Sequence, residues 1–187
     1  MNTGLIAARY ASALIMYASD HRAGHDLYLM MKRISGFFTL EAELEKTFCN
    51  RMISREKRKE LFLDMFPNYP RESLQVLSGF LDLLIQQRRE HIIRYACLQY
   101  IHLYRKKHGI TYGVLTTVVP VDEGTADRIK KLLEPVHPEK VELEMKQDAR
   151  LLGGFSLRVG MDVWDASLAA RMRKVRKAYG LTDNNQT

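Results

Sequence analysis

Residues 105–120 read RKKHGITYGVLTTVVP. This stretch decides the fold, because the helical spacing of apolar residues ends in it and a strand-like pattern begins. The basic run 105–107 followed by Gly109 is typical of a helix C-terminus, since cations oppose the helix dipole and glycine accepts a left-handed cap. Residues 111–119 are rich in β-branched side chains and stop at a proline, which is typical of a strand. We therefore place a domain boundary near residue 108.

Upstream of this boundary the apolar residues recur at helical spacing. The first predicted helix carries its larger apolar side chains at steps of three and four: Leu5, Ile6, Tyr10, Ala13, Leu14 and Tyr17. Its many alanines make it slim, so that another helix can approach closely. Further helices are predicted over residues 27–38, 41–48, 54–66, 74–85 and 92–108. Residues 1–108 are thus expected to form an all-α helical bundle.

Downstream, short strands alternate with helices. Asp122 can cap a short helix, and strands are predicted over 141–146 and 155–159, where apolar and polar residues alternate. Asp165 can cap a final helix. Residues 109–187 are therefore expected to form a small α+β domain with a short β-sheet. A domain of this size is close to the smallest whose hydrophobic core alone keeps it folded, so a bound partner would stabilise it.

The composition limits the class of protein. The 187 residues carry a net charge of +7, which favours an acidic partner: nucleic acid, an anionic membrane or an acidic protein surface. No apolar run is long enough to span a bilayer, and the first residues lack the layout of a secretory signal. The two cysteines, Cys49 and Cys97, are expected to be reduced and packed in a cytosolic compartment.

Candidate chemical sites are weak. The pair Gly153-Gly154 lacks the lysine and following helix of a phosphate-binding loop, and a tight turn explains it better. His21 and His25 stand four apart but have no third ligand nearby. Asp162 and Asp165 flank a Val-Trp pair without a nucleophile beside them. We expect no catalytic residue, no cofactor and no metal.

Two basic segments leave an alternative open. Residues 105–107 follow Tyr100 and Tyr104, and the final predicted helix carries five basic side chains. A basic nucleic-acid-binding module would use such cations on phosphates and such aromatic rings for stacking. A solvated basic face or a membrane-surface helix would explain the same pattern.

Three stretches together resemble the delta subunit family of the F-type ATP synthase, whose mitochondrial relative is the oligomycin-sensitivity-conferring protein. The first is residues 9–14, Arg-Tyr-Ala-Ser-Ala-Leu, and the second runs from Leu83 through the long helix into the strand ending at Pro120. The third is residues 148–160, followed by Asp-Ala-Ser-Leu at 165–168. Its matching residues are Asp148, Leu151, Gly153, Gly154, Asp165 and Ser167. Ala149, Arg150 and Ala166 depart from the family pattern.

The resemblance implies a stator connector that catalyses nothing itself. In this family the helical domain grips the N-terminal helices of the alpha subunits of the catalytic head, and the second domain binds the b subunits of the peripheral stalk. Proton flow is thereby coupled to ATP synthesis. The resemblance also implies membrane contact only through the complex and no role for nucleic acid. Because the first residues make a poor organelle transit peptide, we expect a bacterial complex, with this subunit peripheral at the cytoplasmic face of the inner membrane.

The family's arrangement predicts an acceptor groove made by the first and last helices of the helical domain. The residues predicted to bind the alpha-subunit helix are Tyr10, Ala11, Leu14, Ile93, Ala96 and Tyr100. The alternative for half of them is a place in the core. If Ala11 faces the groove, Ala11→Arg should preserve the fold and abolish binding to the head.

Overall fold

The chain divides into two compact units, Met1–Lys107 and His108–Thr187. The computed structural model describes residues 3–133 and 140–179. The first unit is entirely helical, and the second contains a four-stranded sheet with helices. The predicted fold class, a helical bundle followed by a small α+β domain, is confirmed.

Six α-helices build the first unit. They are α1 (Thr3–Asp20), α2 (Gly24–Leu40), α3 (Ala42–Cys49), α4 (Arg55–Leu63), α5 (Arg71–Gln86) and α6 (Ile93–Lys107), with a 3₁₀ turn over Glu90–Ile92. Local signals explain several ends. The Ser54 hydroxyl accepts a hydrogen bond from the backbone N–H of Lys57 and so caps α4. Pro70 precedes α5, where its missing N–H costs nothing.

The core of the helical unit combines small residues with aromatic rings. Ala7, Ala11 and Ala18 of α1 are fully buried, and α1 packs closely along α6. The rings of Phe48 and Phe62 meet edge to face with their centroids 4.8 Å apart. Such pairs stabilise a core beyond the area that they bury.

The second unit is a mixed sheet with two α-helices. Its elements are β1 (Ile110–Thr117), α7 (Glu123–Leu133), β2 (Lys140–Gln147), a 3₁₀ turn (Ala149–Leu151), β3 (Phe155–Val159), β4 (Asp162–Asp165) and α8 (Leu168–Ala178). The strand order is β2-β1-β3-β4. β1 runs parallel to β2 and antiparallel to β3, and β4 pairs back onto β3 as a hairpin.

One face of this sheet carries the core. Leu115, Leu133, Leu157 and Val159 form a buried cluster, with Val121, Ile129, Val141 and Leu143 packed against it. The cluster joins the three strands β1, β2 and β3 to α7. On the opposite face β2 and β3 are polar, because Glu142, Glu144 and Arg158 alternate with the apolar residues, whereas β1 places the buried Val114 there.

In the described ranges, no helix combines the length and the apolar character that crossing a bilayer requires.

Candidate partner-binding groove

An apolar groove of about 310 Å³ runs between α1 and α5 on the helical unit. Its floor is made of buried side chains, Leu14, Val76 and Phe80. Tyr17 and Leu83 stand at its sides, and each is about half exposed. A concave surface with an apolar floor and an aromatic wall suits the apolar face of a partner's helix.

Two small residues open the groove. Ala13 on α1 and Gly79 on α5 both line it, and both are exposed. Apart from its own stretch of helix, a Cβ on Gly79 would meet no atom of the described residues within 4 Å. Glycine in the middle of a helix costs about 0.5–1 kcal/mol relative to alanine, and no close packing within the chain requires it here. The residue therefore keeps the groove open at the expense of helix stability.

Tyr10 is held in place at this groove by Arg89. The Arg89 guanidinium donates a hydrogen bond of 3.2 Å to the Tyr10 hydroxyl, and its carbon lies 5.5 Å from the centre of the tyrosine ring. Two interactions with one cation restrict the ring to one orientation, and a cation over an aromatic face contributes about 0.5–1 kcal/mol. The groove therefore presents a pre-oriented aromatic ring.

The structure separates the six residues predicted to bind a partner helix into two groups. Tyr10 and Leu14 line the groove. The other four, Ala11, Ile93, Ala96 and Tyr100, lie in the core with at most 1% of their surface exposed. A partner could reach those four only if α1 and α6 moved apart.

Tyr100 illustrates the core role. Its hydroxyl donates a hydrogen bond of 3.2 Å to the backbone carbonyl of Gly24, which connects α6 to the start of α2. Burial raises the pKa of this phenol far above its usual range, because the charged form would lose its hydration. The side chain therefore serves as a neutral structural donor.

Sequence reasoning missed the α5 side of the groove, which consists of Val76, Gly79, Phe80 and Leu83. One signal was present. Gly79 interrupts an otherwise strongly apolar helix, and an isolated glycine at such a position points to close approach or binding.

The matched residues of the second unit form a clamp between β3 and α8. The backbone N–H of Leu168 donates to the carbonyl of Gly153, and that of Ala166 donates to the carbonyl of Phe155. Gly154 has φ +73°, and a Cβ there would overlap the carbonyl oxygen of Ala166. Gly154 is therefore required by both backbone conformation and space.

Side-chain caps complete this clamp. The buried Ser167 hydroxyl accepts from the N–H of Ala170 at the start of α8, and Asp165 accepts from the N–H of Ser167 at 3.0 Å. Asp148 caps the preceding 3₁₀ turn by accepting from the N–H of Arg150, and Leu151 ends that turn. Gly153, Gly154, Asp165 and Ser167 thus position the start of α8. Beside them lies an open cavity of about 370 Å³, lined by Gly153, Gly154, Phe155, Ala166, Leu168 and Arg171.

Helix α8 carries an exposed apolar stripe. Leu168, Met172 and Val175 of the helix and Tyr179, the residue that follows it, stand at steps of four and three and are all exposed. Five cations flank the stripe, and the helix contains no acidic residue. An exposed apolar stripe with a charged border is typical of a protein-binding surface.

No metal centre or reactive thiol accompanies these surfaces in the described part of the chain. No group of three potential metal ligands comes together there. Burial raises the pKa of the Cys97 thiol to about 12, so this residue stays a neutral thiol at physiological pH.

Comparison with known proteins decides the family. The family model described as ATP synthase delta (OSCP) subunit matches residues 6–179. The chain belongs to this family. It is 30% identical to the ATP synthase subunit delta of Phocaeicola vulgatus over 179 residues, 96% of each chain. It is 31% identical to that of Parabacteroides distasonis over 184 residues, 98% of this chain and 99% of the other.

A solved structure agrees with the fold. A chain of the Toxoplasma gondii mitochondrial ATP synthase hexamer, determined by cryo-EM, matches with a TM-score of 0.60 over 92% of this chain and 96% of that one. The two are 18% identical, so this match concerns the fold alone.

The family predicted from the sequence is confirmed. As a member, the chain is a structural subunit of an F-type ATP synthase with the stator role that the resemblance implied, and no comparison favours the nucleic-acid alternative.

Proposed function

We propose that the chain joins the alpha subunits of the catalytic head to the b subunits of the peripheral stalk, one partner on each unit. The observation that carries this proposal is that each unit has its own apolar surface, the groove on the first and the α8 stripe on the second. A connector needs two separate binding surfaces, so that it can transmit torque from one partner to the other.

The groove between α1 and α5 accepts the amphipathic N-terminal helix of an alpha subunit. Its lining is almost wholly apolar, and a bound helix would place apolar side chains at steps of three and four along it. Burying one leucine-sized side chain from water contributes about 1.5–3 kcal/mol, so two or three anchors suffice for a stable contact. Tyr10, Ala13, Leu14 and Gly79 are the residues that we assign to this contact.

Calorimetric titration of the full chain with a peptide of the cognate alpha-subunit N-terminus tests the groove. Gly79→Arg should abolish binding, because the long side chain fills the groove and would be left with a buried charge. Gly36→Arg is the matched control, since Gly36 is also an exposed helical glycine with open space at its Cβ. Equal binding by both variants would remove the groove from the proposal.

The α8 stripe accepts the end of the b subunits. A partner segment with apolar anchors and acidic flanks would match the stripe and the five cations beside it. Met172→Glu should weaken binding of a peptide taken from the C-terminal end of the b subunits, whereas Ala178→Glu, an equal charge change off the stripe on the same helix, should bind normally. If Met172→Glu bound as tightly as the unmodified chain, the stalk contact would have to lie elsewhere on the second unit.

The proposed connector contributes no catalytic group and reaches the membrane only through the complex, at the cytoplasmic face of a bacterial inner membrane. The purified chain should therefore hydrolyse no ATP. It should leave washed membranes together with the catalytic head, and ATP hydrolysis by the purified chain would overturn the non-catalytic assignment.

A further inference from the structure

A second cavity on the helical unit has the opposite character from the groove. It has a volume of about 280 Å³ and lies between the start of α4 and the turn that follows α5. It is lined by Arg51, Ile53, Ser54, Arg55, Arg58, Ile85, Gln86, Arg88 and Glu90. No residue lines both cavities.

The cavity concentrates positive charge. Four arginines against one glutamate leave three positive charges at its wall. Arg51, Arg55 and Arg88 are exposed, and none of them forms an ion pair or a side-chain hydrogen bond with the residues that the structure describes. Like charges held close together repel, so this arrangement favours a bound anion.

Arg58 is buried at this cavity. Its side chain is 5% exposed, and its Nη1 donates to the Glu90 carboxylate at 3.0 Å and to the Phe48 carbonyl at 3.2 Å. Its Nε is buried with no acceptor within the described residues. The two hydrogen bonds hold the Arg58 guanidinium in place, so its positive charge is fixed at the wall of the cavity.

The start of α4 adds a further attraction. Arg55 is the first residue of this nine-residue helix, and the first N–H groups of a helix have no intrahelical acceptor. The Ser54 hydroxyl already accepts from Lys57, so it leaves the earlier N–H groups of the turn unused. The positive end of the helix dipole therefore coincides with the arginine cluster.

We propose that this cavity binds a compact phosphate-type oxyanion carrying at least two negative charges. Guanidinium groups match phosphate oxygens in pairs, and three segments of the chain direct arginines to one concave site. A compact polyanion can meet all of them at once, whereas an extended acidic peptide would need a longer basic track than this cavity provides. Free phosphate compounds and a phosphomonoester lipid headgroup share the required chemistry.

Calorimetric titration of the full chain with inorganic pyrophosphate tests the site. We expect one saturable site, and Arg55→Gln/Arg88→Gln should raise its Kd by about tenfold or more. The matched control is Arg9→Gln/Arg22→Gln, which removes the same charge from exposed arginines outside the cavity. Arg22 also matches Arg88 in backbone conformation, since both have φ 53°. The control should stay within about twofold of the unmodified chain, because the overall charge is a weak and screened contribution.

Sedimentation with vesicles distinguishes the two sources of the anion. Phosphatidic acid vesicles that bind the unmodified chain but not the Arg55→Gln/Arg88→Gln variant, while phosphatidylcholine vesicles bind neither, would assign a lipid headgroup. Pyrophosphate binding without vesicle binding would assign a free ion. The proposal is overturned if neither probe binds, if both double variants weaken binding equally, or if only a polyglutamate peptide binds.

Discussion

The helical unit and the second unit differ in how completely they enclose their large apolar side chains. The largest fully buried side chains of the described residues all lie between Leu27 and Tyr100 in the helical unit. In the second unit the buried cluster has four members, while Met161, Val163 and Trp164 remain exposed. The described part of the first unit therefore encloses more of its large apolar side chains than that of the second.

This difference explains where each unit is open to partners. The helical unit has a closed core beside the apolar groove between α1 and α5, so binding there adds to a structure that is already complete. The second unit leaves the stripe of α8 uncovered and fixes the start of that helix through the Gly154 clamp. Binding of a partner to the stripe would bury the apolar area that a small core lacks.

The largest expected effect breaks the closed core. Ala11 of α1 is fully buried, so Ala11→Arg would force a charged side chain into the interior of the helical unit. We expect a loss of about 4 kcal/mol or more in the free energy of unfolding, since overpacking and an unpaired buried charge act together. Thermal unfolding followed by far-UV circular dichroism measures this loss.

Ser12→Arg is the control for that variant, because Ser12 is the exposed neighbour on the same helix. It should unfold like the unmodified chain. A stable Ala11→Arg protein that fails to bind the alpha-subunit peptide would instead restore the interpretation drawn from the sequence, in which Ala11 faces the partner.

The next effect tests the clamp of the second unit. Gly154→Ala should lower the free energy of unfolding of that unit by about 3 kcal/mol, because a positive φ and an overlap with the Ala166 carbonyl add up. Gly160→Ala shares the positive φ, but its methyl group would meet no atom of the described residues within 4 Å beyond its chain neighbours, so a loss of about 1 kcal/mol is expected. Urea unfolding observed through Trp164, the single tryptophan, reports on this unit. Equal losses in the two variants would mean that only backbone conformation matters at Gly154.

A smaller effect, a gain rather than a loss in the free energy of unfolding, separates the role of the groove from that of the core. Gly79→Ala and Gly36→Ala should each stabilise the helical unit by about 0.5–1 kcal/mol, because alanine is the better helix former and neither site is crowded. Only Gly79→Ala should also weaken binding of the alpha-subunit peptide, since its methyl group narrows the groove. Urea unfolding and peptide titration on the same samples give both quantities.

The smallest expected effect is a loss of stability of the second unit at low pH. Hydrogen bonds from Ser167 lower the pKa of Asp165, and hydrogen bonds from Arg150 lower that of Asp148. A lowered pKa in the folded state means that the stabilisation is complete above the unfolded value, about 3.9. It is lost as the pH falls below that value through the folded pKa. The Trp164 signal should therefore indicate weaker stability of the second unit below about pH 4, and Asp165→Asn should reduce this dependence. An unchanged pH profile in that variant would contradict the assignment.

Most of the element order followed from local patterns. The strand predicted over 111–119 is Ile110–Thr117, and the helix predicted over 41–48 is Ala42–Cys49. The caps predicted at Asp122 and Asp165 differ in detail. Asp122 accepts from the N–H of Thr125 in α7, whereas at α8 the cap is Ser167, itself held by Asp165. Caps, turns and periodicity involve residues a few positions apart, so a sequence contains that information directly.

The sequence by itself determined the family, the two-part fold and the slimness of α1. Only the tertiary structure decided which small residues of α1 meet α6 and which remain open: Ala7, Ala11 and Ala18 are buried, whereas Ala13 faces the groove. The same holds for Gly79, whose neighbour across the groove is distant in the chain. A local sequence pattern cannot tell which alanines of one helix are buried. Their burial depends on which side of the helix the distant helices of the fold pack against.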